Sequence, residues 1–275
     1  MTPRSYLFVP AHRPERYAKA CASGAHAVIV DLEDAVPPTE KETARAALAQ
    51  WLSPAQPVVV RVNAMETPWY RDDIAMCRTP GVAGVVVPKC ERASDLAEVA
   101  AALKGATPIL PLVESAQGLW NAFDIARCAC VERLLFGSID FQLDLGIGGD
   151  DEELVHARSQ IVLVSRVARL QRPVDGVTTA LDDPEQLRRE TLRARRYGFG
   201  AKLCIHPKQV GVVNECFAPT PDEIAWANRV VEAASRAAGG AVAVDGKMVD
   251  RPVILQAEDI LRDAEMLRTI VPPAG

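Results

Sequence analysis

The sequence predicts an α/β fold, a (β/α)8 TIM barrel with a C-terminal helical extension. Three observations carry this. Short runs that are apolar on both faces recur eight times, and seven of the eight are followed by a stretch of helical character, the pattern of parallel strands covered by helices. The eight units fit within about 215 residues, close to what such a barrel needs. The turn after the first run, "VPAHRPE", lacks the glycine-rich fingerprint that a doubly wound dinucleotide-binding sheet would carry there.

In chain order, a strand over 5–9 precedes a helix over 14–23. The run "AVIVDL" gives a strand at 27–32 and a helix over 39–52, and "VVVRV" gives a strand at 58–62 and a helix over 69–77. "GVVV" gives a strand at 84–87 and a helix over 94–103. These runs are rich in β-branched residues, which suit a buried pleated surface. The fifth strand, 109–113, leads to a helix over 119–129, and the sixth, 133–136, to a long helix over 152–169. The seventh, 174–178, is followed by a helix over 184–197, and "AKLCI" at 201–205 is the eighth. After it, Thr220, Pro221 and Glu223 form a helix-opening signature of cap, first-turn proline and capping-box acid. A glycine-punctuated break, "GGAVAVDGKMVD", with Gly239, Gly240 and Gly246, separates that helix from a last amphipathic one. No low-complexity linker intervenes. The organisation expected is a catalytic barrel over 1–218 and an extension over 219–275.

The 275 residues suffice for a sizeable core. The net charge of −5 gives no reason to expect nucleic acid or an anionic membrane as partner. No apolar run reaches the length of a membrane span, and the N-terminus has no signal-peptide core. Seven cysteines without a CxxC or Cys/His metal pattern read as free thiols in a reducing cytoplasm.

In such a barrel the strand C-termini form the active face. The polar residues there are Asp31, Glu33, Asp34, Arg61, Asn63, Lys89, Glu114, Asp140, Asp175 and His206. The stretch "PILPLVESAQG" puts Glu114 where a buried strand leaves the core, and "LLFGSID" puts Asp140 at the same level one unit later. Two carboxylates so placed suit Mg²⁺, which keeps waters and accepts substrate oxygens. A helix N-cap for Asp140 and a salt bridge for Glu114 are the plainer alternatives. Arg61 inside an apolar run must be paired or functional, because it keeps its charge. It can hold a substrate carboxylate, or an ion pair with Glu33 or Asp34, or both. Alternation along "DLEDAV" puts Asp31 and Glu33 on one face, where they can hold metal-bound waters or orient Arg61. Lys89 invites a Schiff-base reading, but Pro88 and Cys90 give it no support. His206 reads as a helix-start residue, and Asp250, in "GKMVDRP", as a cap for the last helix.

The pieces "LFVPAHRPERYAKA", "GAHAVIVDLEDAV", "KETAR", "VRVNAMETPWYRDD", "VPKCE", "PLVESAQGL", "LLFGSIDFQLDLG", "GFGAKLCIHPKQV" and "GKMVDRPVILQAEDIL" run in order over nearly the whole chain. Together they resemble the citrate lyase β-subunit-like branch of the HpcH/HpaI aldolase family, which includes malyl-CoA lyases. The resemblance implies Mg²⁺ held by Glu114 and Asp140, and Arg61 on the substrate's oxo-acid end. It implies Phe8, Arg13 and Lys19 at the substrate and CoA entry. It also implies a homo-oligomer, trimer or hexamer, in which Asp250 reaches a neighbour's active site as acid/base. His26 stands where the family commonly has Asp. The expected activity is reversible retro-Claisen cleavage of a 3-hydroxyacyl-CoA thioester to a 2-oxo acid and an acyl-CoA, with Glu33, Arg61 and Asp250 as catalytic residues. An aldolase acting on a free 4-hydroxy-2-oxo acid, or a non-catalytic binder of an oxo acid or acyl-CoA, are the alternatives. The uninterrupted tail favours a stand-alone enzyme over a citrate lyase subunit.

Overall fold

A computed structural model describes residues 2–236 and 242–268. Eight parallel strands close into a barrel in sequence order. They are β1 (Ser5–Pro10), β2 (Ala27–Asp31), β3 (Val58–Arg61), β4 (Val82–Val87), β5 (Ile109–Val113), β6 (Leu135–Phe136), β7 (Val174–Asp175) and β8 (Ala201–Cys204). β1 pairs with β8, with Ser5 opposite Lys202, and this seam completes the ring. The interior is filled by side chains from alternating positions, Tyr6, Ile29, Val59, Val86, Leu110, Leu112, Leu135, Val174, Ala201 and Leu203. The other strand face packs outward on the helices, in a larger apolar layer that includes Val30, Val60, Val85, Val113 and Phe136. Burial on both faces is why these strands read as unbroken apolar runs.

The surrounding helices are α1 (Tyr17–Cys21), α2 (Lys41–Trp51), α3 (Tyr70–Met76), α4 (Ala93–Ala102), α5 (Ala116–Trp120), α6 (Ala122–Ala126), α7 (Ser138–Leu145), α8 (Val155–Val167), α9 (Pro184–Tyr197) and α10 (Pro207–Phe217). Three features depart from the sequence reading. The single helix expected over 119–129 is two short helices parted at Asn121, whose side-chain amide donates to the Glu91 carbonyl at 2.8 Å. The sequence reading gave α7 and α10 no range, although it took His206 as a helix start. α7 lies inside a loop that reads as a simple strand-to-helix connection, and it begins within two residues of β6.

Thr2–Phe217 forms one compact unit and Ala218–Gly275 belongs to a second. The second holds α11 (Pro221–Arg236), the hairpin strands β9 (Val242–Val244) and β10 (Lys247–Val249), and α12 (Arg251–Arg268). Its core joins Ala227, Val230, Val244, Val249 and Ala257. The anticipated capping box closes reciprocally. Thr220 N–H donates to Glu223 Oε2 at 2.8 Å, and Glu223 N–H to Thr220 Oγ at 3.1 Å. Gly239 and Gly240 lie outside the described residues. All seven cysteines are free thiols. Among the described residues no helix is long and apolar enough to cross a membrane.

Candidate active site

The strand C-termini converge on a cavity of about 400 Å³. Phe8 and Pro10 of β1, Asp31, Arg61, Glu114, Gly137, Asp140 and Val177 line it, with Asp34 and Ile139 at its edge. Of the residues anticipated for the site, Phe8, Arg61, Glu114 and Asp140 are therefore brought together. Arg13 and Lys19 are not among the lining residues, and Arg13 pairs with Glu15.

Arg61 is fixed before any ligand arrives. Asp31 and Arg61 are register neighbours at the ends of β2 and β3. Arg61 Nε donates to Asp31 Oδ1 at 2.7 Å and Nη2 to Oδ2 at 2.6 Å, a bidentate fork. Nη1 lies 2.8 Å from Glu33 Oε2 and 3.6 Å from Asp34 Oδ2. Burial opposes the charge, but Asp31, then Glu33 and Asp34, overcome that and hold the guanidinium protonated above its ordinary range. Two of its five N–H groups donate to Asp31, and Nη1 is held beside Glu33 by charge, so Nη1 and the second hydrogen of Nη2 remain for a ligand. The Phe8 ring lies under the guanidinium, 4.9 Å from its carbon. Sequence reasoning offered Glu33 and Asp34 as ion-pair partners, and Asp31 with Glu33 as acids that could orient Arg61. The principal partner is Asp31, because the strand register brings it alongside.

Glu33 is buried and does not line the cavity. It meets the site through Arg61 and through Lys89, whose Nζ stands 3.1 Å from Glu33 Oε1. Burial, opposed mainly by Arg61, leaves its carboxyl above the ordinary range. Lys41 of α2 was not singled out by the sequence reading. Its buried Nζ donates to the carbonyls of Leu32 and Glu33 at 2.8 and 2.7 Å and to Asn63 Oδ1 at 2.6 Å. It thereby ties down the loop that carries Glu33 and Asp34. Asn63 in turn donates to Asp73 Oδ2 at 2.6 Å, and Asp73 takes Arg45 at 3.1 Å. Asn63 is already among the strand-end polar residues; the rest of this brace shows in the sequence only as a lysine and an aspartate on buried helix positions.

Glu114 leaves β5 with 4% of its surface exposed. Its Oε1 accepts the Lys89 backbone N–H at 2.6 Å. Burial, together with the neighbouring Glu33 and Asp140 carboxylates, raises its pKa to about 8, against the pull of the Lys89 amide and Arg61. Gly137 leaves no room beside it, since a Cβ there would fall 2.6 Å from Glu114 Cβ. Asp140 is not the cap of its helix. Gly137 holds the N-cap position of α7, and Asp140 sits in the first turn, where the helix N-terminus favours an anion. His206 is a helix-start residue as expected, its Nδ1 accepting the Lys208 N–H at 3.1 Å. His26 lies before β2, where its Nδ1 accepts the Arg4 N–H at 3.1 Å; it has no place at the cavity. Asp175 is buried in an ion pair with Arg158 at 3.0 Å.

The cavity is rich in carboxylates. Asp31, Asp34, Glu114 and Asp140 line it and Glu33 stands behind, against the cations Arg61 and Lys89. Among the described residues no cluster of three or more His, Cys, Asp or Glu side chains is gathered for a metal. Two carboxylates, a raised Glu114 and an excess of negative charge fit a hard divalent cation that takes its remaining ligands from water and substrate.

Residues 4–207 match the family model of the HpcH/HpaI aldolase/citrate lyase family. The chain belongs to that family. It is 40% identical over 276 residues to a citrate lyase subunit beta-like protein of Deinococcus radiodurans, covering 94% of this chain and 96% of that one. It is 36% identical over 272 residues to a (3S)-malyl-CoA thioesterase of Cereibacter sphaeroides, covering 96% and 95%. Among solved structures it is similar to CitE of Mycobacterium tuberculosis in complex with magnesium, acetoacetate and coenzyme A. That likeness has a TM-score of 0.84 and 36% identity, over 95% of this chain and 98% of that one.

In the second unit, Asp250 stands exposed between β10 and α12. Its carbonyl accepts the Ile254 N–H at 3.0 Å, while its carboxylate reaches the Val253 N–H only at 3.5 Å. As a cap it is weakly engaged.

Proposed function

We propose that this protein is a Mg²⁺-dependent carbon–carbon lyase that cleaves a 3-hydroxyacyl-CoA thioester, reversibly, to a 2-oxo acid and an acyl-CoA. The observation that carries this is the meeting of Glu114 and Asp140 with a pre-fixed Arg61 over one cavity. Magnesium, acetoacetate and coenzyme A in the related CitE support the cation and both halves of the substrate.

Glu114 and Asp140 would hold the ion, which supplies Lewis-acid polarisation of the substrate's hydroxyl and carboxylate oxygens. Arg61 offers the N–H groups that Asp31 leaves to the oxo-acid end and to negative oxygen that develops there. Asp31 and Glu33 keep that guanidinium from moving, so Glu33 acts as a positioning residue. Phe8 supplies an apolar floor. In the cleavage direction the hydroxyl proton passes to solvent water, the hydroxyl oxygen becomes the carbonyl of the 2-oxo acid, and the bond between the hydroxyl-bearing carbon and the thioester's α-carbon breaks. The electron pair passes to the thioester enolate. Asp250, from a neighbouring chain of a homo-oligomer, would deliver the proton to that carbon. Arg13 and Lys19 would meet the CoA phosphates.

The 36% identity to a malyl-CoA thioesterase favours a second reading, hydrolysis of the thioester in the same cavity. One experiment separates these. Malyl-CoA- and citryl-CoA-type thioesters and a free 4-hydroxy-2-oxo acid are offered with Mg²⁺ or EDTA, and oxo acid and free CoA thiol are followed together. Oxo acid without thiol identifies the lyase. Thiol without oxo acid identifies the hydrolase. Oxo acid from the CoA-free substrate identifies an aldolase. Turnover that persists in EDTA, or no turnover with saturable binding, overturns the proposal.

A further inference from the structure

A second cavity lies on α9 and shares no lining residue with the active site. The sequence "PEQLRRETLRARRY" spaces Arg189, Arg193 and Arg196 by four and then three, which puts them on one helix face. They line about 520 Å³ together with Gln186 and Glu190 of the same helix and Asp150 and Asp151 of the loop after α7.

The acids there are already engaged. Asp150 takes Arg193 Nη2 at 2.7 Å and Arg158 Nη2 at 2.8 Å. Asp151 takes Arg193 Nη1 at 2.8 Å. Glu190 accepts the Thr178 hydroxyl at 2.5 Å and the Gln186 amide at 2.8 Å, with Lys202 at 4.0 Å. The basic side is not matched. Among the described residues neither Arg189 nor Arg196 has an ion pair, and both are exposed. Arg193 Nε is buried with no hydrogen-bond partner.

We propose that this cavity binds a compact polyanion with two acidic groups, of the diphosphate or dicarboxylate type. Arg189 and Arg196 are seven residues apart, about 10 Å along the axis at 1.5 Å per residue. Two linked acidic groups offer one to each exposed guanidinium, with Arg193 on the stretch of helix between them. Planar guanidinium forks match phosphate and carboxylate oxygens alike. The ligand would draw on Arg193, which anchors the loop through Asp150. Asp150 holds Arg158, and Arg158 Nε lies 3.0 Å from Asp175 in β7. Occupancy is thus linked to a salt-bridge chain that ends in the barrel wall.

Calorimetry on the full chain with inorganic pyrophosphate, and separately with succinate, tests this at constant ionic strength, with chloride as the single-charge control. The expected result is saturable binding of one dianion per chain, weakened about tenfold or more in the Arg189→Ala/Arg196→Ala double variant. Which dianion binds tighter identifies the ligand class. Both substituted residues are exposed, and circular dichroism verifies the fold. Arg193→Lys, which keeps the charge but loses the fork, should also weaken binding. Slower hydrogen exchange over 146–151 on saturation is the further expected sign. Absence of saturable binding by either dianion overturns the proposal. So does binding that survives in the double variant, or that chloride reproduces.

Discussion

Lys89 holds a backbone conformation that a side chain disfavours, with φ at +49°. This turn aims its N–H at Glu114 and its ammonium at Glu33. Two substitutions separate the roles. Lys89→Gly keeps the turn without strain and loses the ammonium, while Lys89→Ala loses the ammonium and keeps the strain. Glycine is therefore expected to be the more stable of the two by ~1 kcal/mol in urea denaturation, the reverse of the usual order. Both should lower kcat by a similar factor if the ammonium matters, and differ if the amide geometry does. A second prediction at this scale concerns Glu114. Its folded pKa, about 8, lies above the ordinary carboxylate range that applies when the chain is unfolded. Between those two values the folded state binds the extra proton, so stability of the metal-free protein should fall as pH rises through that window and level off above it. Thermal melts in EDTA from pH 5 to 9 should show this slope, and Glu114→Gln should flatten it. An unchanged slope in the variant means that another group is responsible.

At the scale of the element, α7 decides where Asp140 stands. Gly176, just past β7, permits its position: a Cβ there would fall 2.2 Å from Ser138 Oγ and 2.8 Å from Ser138 Cβ. Gly176→Ala should displace the start of α7, destabilise by ~1–3 kcal/mol and weaken Mg²⁺ binding in calorimetry. The severe clash is with the Ser138 side chain, the Phe136 carbonyl oxygen being tight but farther at 3.3 Å, so Ser138→Gly in the same molecule should recover most of both losses. If the double variant is no better than Gly176→Ala, the obstruction is backbone and α7 is not the element that moves. This helix also marks the limit of what the sequence reveals. The eight strands were legible because strands buried on both faces leave continuous β-branched runs. Glu114 and Asp140 were legible because each follows such a run closely. α7 was not, since a short helix inside a barrel loop has no long apolar stripe, whereas α10 does carry one, with Val210, Val213 and Phe217 buried at helical spacing, and only its start at His206 was read. The Asp31–Arg61 fork depends on which residues two parallel strands place side by side, and the chain's local pattern does not encode that. Lys41 was invisible because two of its partners are main-chain carbonyls, of Leu32 and Glu33, which leave no mark in the residue types.

At the scale of the whole molecule, the barrel unit carries Arg61 and the two carboxylates proposed to hold the cation, and the second unit carries Asp250. The weak capping contact of Asp250 leaves its carboxylate available for the proton transfer proposed above. If that transfer occurs at a neighbour's site, the two halves of the machinery are genetically separable. Asp250→Asn should keep Mg²⁺ and oxo-acid binding in calorimetry and lose enolate protonation, read as loss of solvent deuterium exchange at the α-carbon of the acyl-CoA. Arg61→Ala should keep Asp250 and lose oxo-acid binding. Each variant alone is expected to be at least about a hundredfold slower, the size of effect usual for removing a general acid/base or an oxyanion donor. Co-expressed, they form mixed oligomers in which some interfaces join an intact Arg61 to an intact Asp250, so activity should return to a sizeable fraction of wild type. Mixed oligomers no faster than the parents would assign Asp250 to its own chain's site or to none. Metal binding that survives in Asp250→Asn but not in Glu114→Ala or Asp140→Ala would still leave the barrel-rim carboxylates as the cation's ligands.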